Sequence, residues 1–163
     1  MRYHLLSHPQ SMAIGVDRLP EQHVRRLMRR ELPPALGEHC MRRFVYIQMD
    51  VRELTMSVLD AATRKHLQRP ASKVDHYHAG WPCQSTSKAS EQTPTSRGFV
   101  PHRWPHGTAR SAQAIVDDEL LEHIIALFEQ LRRMEADILV TIEQPENDIF
   151  LTLPPMQRAL AQG

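Results

Sequence analysis

The sequence predicts an α/β fold: a parallel sheet with helices on both faces. Short β-prone runs alternate with stretches whose apolar residues recur at helical spacing, and such alternation favours a parallel sheet over other layered architectures. The proposed strands also end near chemically suggestive residues: Asp17, Asp50, Pro82-Cys83 and Glu143. In open parallel sheets, ligands collect outside the carboxyl ends of the strands. The length of 163 residues, with 41% hydrophobic and 24% charged, suits one soluble domain with a real core.

Met12-Ala13-Ile14-Gly15-Val16 is a short apolar run ending at Asp17, and it reads as a buried strand. Pro20 opens a helical pattern with Val24, Leu27 and Met28 on one face and Arg25, Arg26, Arg29 and Arg30 largely on the other. Pro33-Pro34 and Gly37 are expected to end that helix. Phe44 to Met49 is β-rich and ends at Asp50, giving a second strand. Val51, Leu54, Val58, Leu59 and Ala62 then recur at helical spacing to about residue 67.

A third strand is expected over Val74 to Ala79, although Asp75, His76 and His78 make it unusually polar. From Gly80 to about Arg110 the composition shifts to Ser, Thr, Pro, Gly, Lys and Arg without periodicity. Loops of that length inside a compact domain are usually functional or disordered. Ile115, Leu120, Leu121, Ile124, Leu127, Phe128 and Leu131 supply the apolar face of a long helix. Ile138-Leu139-Val140-Thr141-Ile142 forms a fourth strand ending at Glu143.

Charge and cysteine content narrow the classes of function. Lys plus Arg total 20 against 19 Asp plus Glu, a net charge of +1, so the chain lacks the strongly basic balance of a self-sufficient DNA binder. The arginine run at 25–30 reads first as a solvated helix face. The two cysteines, Cys40 and Cys83, do not make a disulfide framework and are expected to be reduced thiols. No apolar run approaches the roughly 20 residues that cross a bilayer, and the N-terminus is too short in apolar residues for a secretory signal. The expectation is an intracellular protein without a membrane partner, nuclear in a eukaryote and cytoplasmic in a prokaryote or virus.

The segment His78-Ala79-Gly80-Trp81-Pro82-Cys83-Gln84-Ser85-Thr86-Ser87 resembles the nucleophile motif of the DNA cytosine-5 methyltransferase family, in which a strand leads into a Pro-Cys-Gln loop. Some sixty residues on, Thr141-Ile142-Glu143-Gln144-Pro145 resembles that family's second catalytic motif at the end of the next strand. The likeness spans roughly residues 12–153, with 84–110 as a long active-site loop. It implies a Rossmann-like, S-adenosylmethionine-dependent methyltransferase sheet acting on DNA. Cytosine is too electron-poor at carbon 5 to take an electrophilic methyl group directly. By resemblance, Cys83 adds to carbon 6 of a flipped base and makes carbon 5 nucleophilic, while Glu143 holds the ring nitrogen. Pro82, Gln84, Ser85 and Ser87 fall at the family's base-contacting positions, and Pro82 also borders the cofactor.

The resemblance further assigns Asp17 to the ribose hydroxyls of S-adenosylmethionine, and Asp50 with Val51 to its adenine. A strand-terminal Asp is a common ribose-binding device, and it is equally a cap for the helix that follows. The two roles are compatible. The family's Gly-rich loop, Phe-x-Gly-x-Gly, has no counterpart before Asp17, and its later recognition motifs have none after Pro155. Residues 1–163 are therefore expected to be a partial catalytic domain, truncated at both ends and weak or inactive alone, with another polypeptide supplying the missing motifs. An amino-group methyltransferase on the same sheet and a non-catalytic interaction module are the alternatives. His76, His78 and Cys83 lie close in sequence, but no zinc-binding spacing appears, so no metal is expected.

Overall fold

The computed structural model describes residues 10–30, 33–80, 112–135, 137–143 and 151–161. The chain divides into two compact units, residues 1–71 and 72–163. Each holds a two-stranded parallel sheet with helices, so the α/β class and the parallel pairing are present. Among the described residues the strands pair two by two, and no ladder joins all four into one sheet.

In the first unit β1 (Ala13–Asp17) runs parallel to β2 (Phe44–Gln48), with Ala13 opposite Phe44 and Asp17 opposite Gln48. The ladder is extended at both ends, where Ala13 N–H donates to Arg43 O (2.9 Å) and Met49 N–H donates to Asp17 O (3.0 Å). The crossover between these strands contains two helices, α1 (Glu21–Arg30) and α2 (Pro34–Arg42). This corrects the expectation that Pro33-Pro34 and Gly37 only terminate structure. Proline in the first turn has no intrahelical bond to lose, so Pro34 starts α2 as readily as it stops α1. Gly37 is buried within α2, and a Cβ there would lie an ordinary 3.7 Å from Arg29 Cγ. Cys40, Met41 and Phe44 form the core, with Ala13, Val24 and Tyr46 packed against them.

Beyond β2, a 3-10 turn (Val51–Glu53) leads into α3 (Met56–Leu67). Thr55 caps α3 by accepting from Val58 N–H at 3.3 Å. Gln68 ends it in the left-handed region, at φ 57° and ψ 29°, and Pro70 blocks continuation. Asp60 in α3 accepts from Arg64 Nε (2.6 Å) and from Ala71 N–H (2.9 Å). Those bonds hold its carboxyl below the ordinary value, the Arg64 side chain contributing most.

In the second unit β3 (His76–Gly80) runs parallel to β4 (Leu139–Glu143), with His78 opposite Thr141 and Gly80 opposite Glu143. Between them in sequence lies α4 (Ala112–Met134). Its Leu121, Ile124, Ile125, Leu127 and Leu131 are buried, as the periodicity predicts. Ile115 is 46% exposed. Nine residues before Ile124, at about 100° per residue, it points the opposite way from the buried face. A helix absent from the sequence reading, α5 (Pro154–Ala161), closes this core. Leu153 joins Leu121 and Ile125, and Met156, Ala159 and Ile142 pack on them. Arg158 pairs with Glu122 and Lys73 with Glu135. No helix of the described residues is long and apolar enough to cross a membrane.

Candidate functional site

The sequence-predicted residues fall at strand ends in both units. In the first, Asp17 closes β1, and Asp50 lies two residues past Gln48, its neighbour in the register. Because the strands are parallel, both carboxylates emerge at the same, carboxyl, end of this sheet. That is where parallel sheets place ligands.

The two aspartates are held differently. Asp17 Oδ1 accepts from Leu19 N–H at 3.0 Å, closing a local turn. Its other oxygen accepts no hydrogen bond among the described residues. The backbone around it is tied to β2 by Tyr46, whose hydroxyl lies 2.8 Å from Asp17 O and 2.5 Å from Leu19 O. Burial pushes the Tyr46 phenol above its ordinary value, and the charges of Asp17 and Glu21 add to this.

Asp50 is the cap of the 3-10 turn: Oδ1 accepts from Arg52 N–H and Arg52 Nε (both 3.0 Å). Oδ2 takes a further bond from Arg52 Nη2 at 2.5 Å. These bonds, the side-chain ones first, hold the Asp50 carboxyl well below the usual carboxylate range. A carboxylate offers about four acceptor positions, so three Arg52 bonds leave room for one more donor. Asp50 therefore has room for a single further donor, and Asp17 is the more open of the two carboxylates. Val51 opens the turn directly beside Asp50 and is partly exposed.

In the second unit, the parallel register sets Glu143 opposite Gly80, three residues before Cys83 in the chain. Cys83, Pro82, Gln84, Ser85, Ser87 and the 84–110 loop lie outside the described residues. The Glu143 side chain is 77% exposed, with His78 Nε2 3.6 Å from Oε2. It projects past Ile142, the last apolar residue of the strand, and is open to solvent. Alternation along the strands puts His76, His78, Thr141 and Glu143 on one face. There Thr141 Oγ1 is bonded to His76 Nε2 (2.7 Å) and to His78 Nδ1 (2.9 Å). A hydroxyl has one proton to give and two acceptor positions, so Thr141 orients both rings. Among the described residues no group of three His, Cys, Asp or Glu side chains could hold a metal ion.

An apolar cavity of about 480 Å3 opens between α4, β4 and α5, lined in part by Phe128, Arg132, Ile142 and Leu160. Neither Glu143 nor either histidine lines it, so it is a separate feature from the strand-end site.

Three participants were missed by the sequence reading. Arg52 was detectable, since an Arg two residues after a strand-ending Asp can fold back on it. Tyr46 and Thr141 act on groups 27 to 65 residues away, and nothing local in the sequence announces such contacts. No protein-family model, curated protein or solved structure matches this chain.

Proposed function

We propose that the chain carries elements of an S-adenosylmethionine-dependent DNA cytosine-5 methyltransferase on a Rossmann-like sheet. The observation that carries this reading is the β3–β4 register, in which the strand leading into Trp81-Pro82-Cys83-Gln84 ends opposite Glu143. A thiol nucleophile and a carboxyl group approaching one sheet end is what covalent activation of cytosine requires. Asp17 and Asp50, at the carboxyl end of the β1–β2 parallel pair, supply acceptors suited to a ribose diol and an adenine amino group.

In this reading the Cys83 thiolate adds to carbon 6 of a flipped cytosine, and the Glu143 carboxyl group holds the ring nitrogen on which negative charge develops. Electron density then rises at carbon 5. S-adenosylmethionine supplies an electrophilic methyl group. Removal of the carbon-5 proton afterwards expels the Cys83 thiolate and restores the aromatic ring. Pro82, Gln84, Ser85 and Ser87 would border the base, and Val51 would sit against the adenine beside Asp50.

No Gly-rich loop occurs within residues 1–163 before Asp17. Backbone close to a cofactor needs glycine, so these residues alone should hold S-adenosylmethionine weakly, at a Kd of roughly 1 mM, about −4 kcal/mol. Saturation-transfer NMR with S-adenosylmethionine tests this. Weak binding lost in Asp17→Ala is the expected result. Micromolar affinity would show that no such loop is needed, and weak binding indifferent to both Asp17→Ala and Asp50→Ala would remove the assigned cofactor site.

A further inference from the structure

We propose that the arginine face of α1 is a docking surface for the phosphate backbone of duplex DNA. Gln22, Arg25, Arg26, Arg29 and Arg30 line a shallow groove of about 620 Å3. Their spacing is i, i+3, i+4, i+7 and i+8. At about 100° per residue this is one continuous arc of about 140°. Val24, on the opposite side, packs against the Cys40–Phe44 core and fixes which way the arc faces. The chain carries a net charge of only +1, yet four guanidinium groups are concentrated on three turns of one helix.

Two of the four are lightly engaged. Arg25 pairs with Glu21 at 2.5 Å and Arg29 with Glu38 at 2.9 Å. In each pair both side chains are at least 36% exposed. Such solvated pairs are weak and yield to a stronger anion. Arg26 and Arg30 make no hydrogen bond or ion pair with any described residue, and both are exposed. The Arg29 stem lies over Gly37, which steadies the middle of the array.

The pattern specifies the partner's chemistry. Arg25 with Arg29, and Arg26 with Arg30, form two i,i+4 rows whose members are about 6 Å apart along the axis. A row of cations repeated along one axis suits a polymer of repeated negative charge better than a single small anion. Guanidinium forks bind phosphate in two-pronged fashion. Among the described residues no apolar side chain lines the groove. A protein partner would call for aromatic or aliphatic anchors, and a bilayer surface for an apolar face beside the basic one. The choice of duplex DNA among phosphodiester polymers rests on the methyltransferase reading; the groove does not.

Fluorescence anisotropy of the full chain with a short fluorescein-labelled DNA duplex, between about 50 and 200 mM salt, tests the proposal. Affinity should fall steeply with salt. The variant Arg26→Gln/Arg30→Gln should bind more weakly and show a log–log salt slope smaller by about two. Arg132→Gln/Arg133→Gln, on α4, is the control and should behave as the parent. Circular dichroism melts should coincide for the parent and the α1 variant, since Arg26 and Arg30 are exposed. Equal binding by the α1 variant and the parent overturns the proposal, as does equal weakening by the control pair. So does an α1-dependent affinity for phosphatidylserine vesicles or poly-glutamate without affinity for the duplex. Failure of S-adenosylmethionine binding with duplex binding intact would count against the methyltransferase reading alone.

Discussion

Replacing Tyr46 by Phe removes one hydroxyl and leaves the ring, which packs on the Cys40–Met41–Phe44 core. That hydroxyl faces two carbonyl oxygens, Asp17 O at 2.8 Å and Leu19 O at 2.5 Å, and has one proton to share between them. One hydrogen bond is therefore lost. Its net value is about 1 kcal/mol. The loss is not compounded, because Asp17 O keeps the bond from Met49 N–H at 3.0 Å and Leu19 is exposed to water. For a chain of this length, about 1 kcal/mol corresponds to a fall in Tm of about 2–4 °C. Urea titration should show a lower midpoint with an unchanged slope. The alkaline limb adds an independent check. Tyr46 holds its proton more tightly in the folded state, so the parent loses stability as pH rises above about 10, and the variant loses less there. An unchanged midpoint with an unchanged alkaline limb would refute the account. A loss of about 3 kcal/mol or more, the scale of a buried group left unsatisfied, would show that the turn after β1 is held in another way.

Three further outcomes follow from particular contacts. The depressed Asp50 carboxyl adds stability that is complete above about pH 4 and disappears as pH falls through its folded value. Arg52→Ala should remove that acid-side contribution, and NMR titration of the Asp50 carboxyl should move back towards the ordinary range. Leu121 is fully buried against Ile125 and Leu153, so Leu121→Ala should destabilise by about 2–5 kcal/mol in urea unfolding. Gln68 occupies the left-handed region at φ 57°, which costs a non-glycine residue about 1–2 kcal/mol. Gln68→Gly forfeits the side-chain bond to Lys65 O and should still raise stability by roughly 0.5 kcal/mol in the same assay.

Much of this arrangement is legible from local pattern. Each of the four strands is a β-prone run stopped near an acidic or glycine residue, and each appears within two residues of its expected place. The missed helices share a cause. Pro33-Pro34 reads as a breaker and Pro154-Pro155 falls in no expected element, but proline lacks only a donor that the first helical turn does not use, so both pairs begin helices. Ile115 misled because its apolar character was counted without its angle around α4. The pairing of strands two by two could not be read at all. Strand order depends on which edges meet in space, and short apolar runs carry no label for their neighbours. Asp17 and Asp50 were legible as strand-terminal acids. Their division of labour, one nearly open and one clamped by Arg52, required coordinates.

The pairing of Cys83 with Glu143 is the centre of the functional account, and covalent capture tests it most directly. The full chain is incubated over many hours with DNA containing 5-fluorocytosine and excess S-adenosylmethionine, and the products are read by intact mass and peptide mapping. Fluorine at carbon 5 cannot leave as a cation, so even slow turnover accumulates a stable protein–DNA adduct. The account predicts an adduct mapped to Cys83, absent in Cys83→Ser and strongly reduced in Glu143→Gln. An adduct on Cys40, or no adduct in the parent under conditions where a complete cytosine-5 methyltransferase is captured, would contradict it.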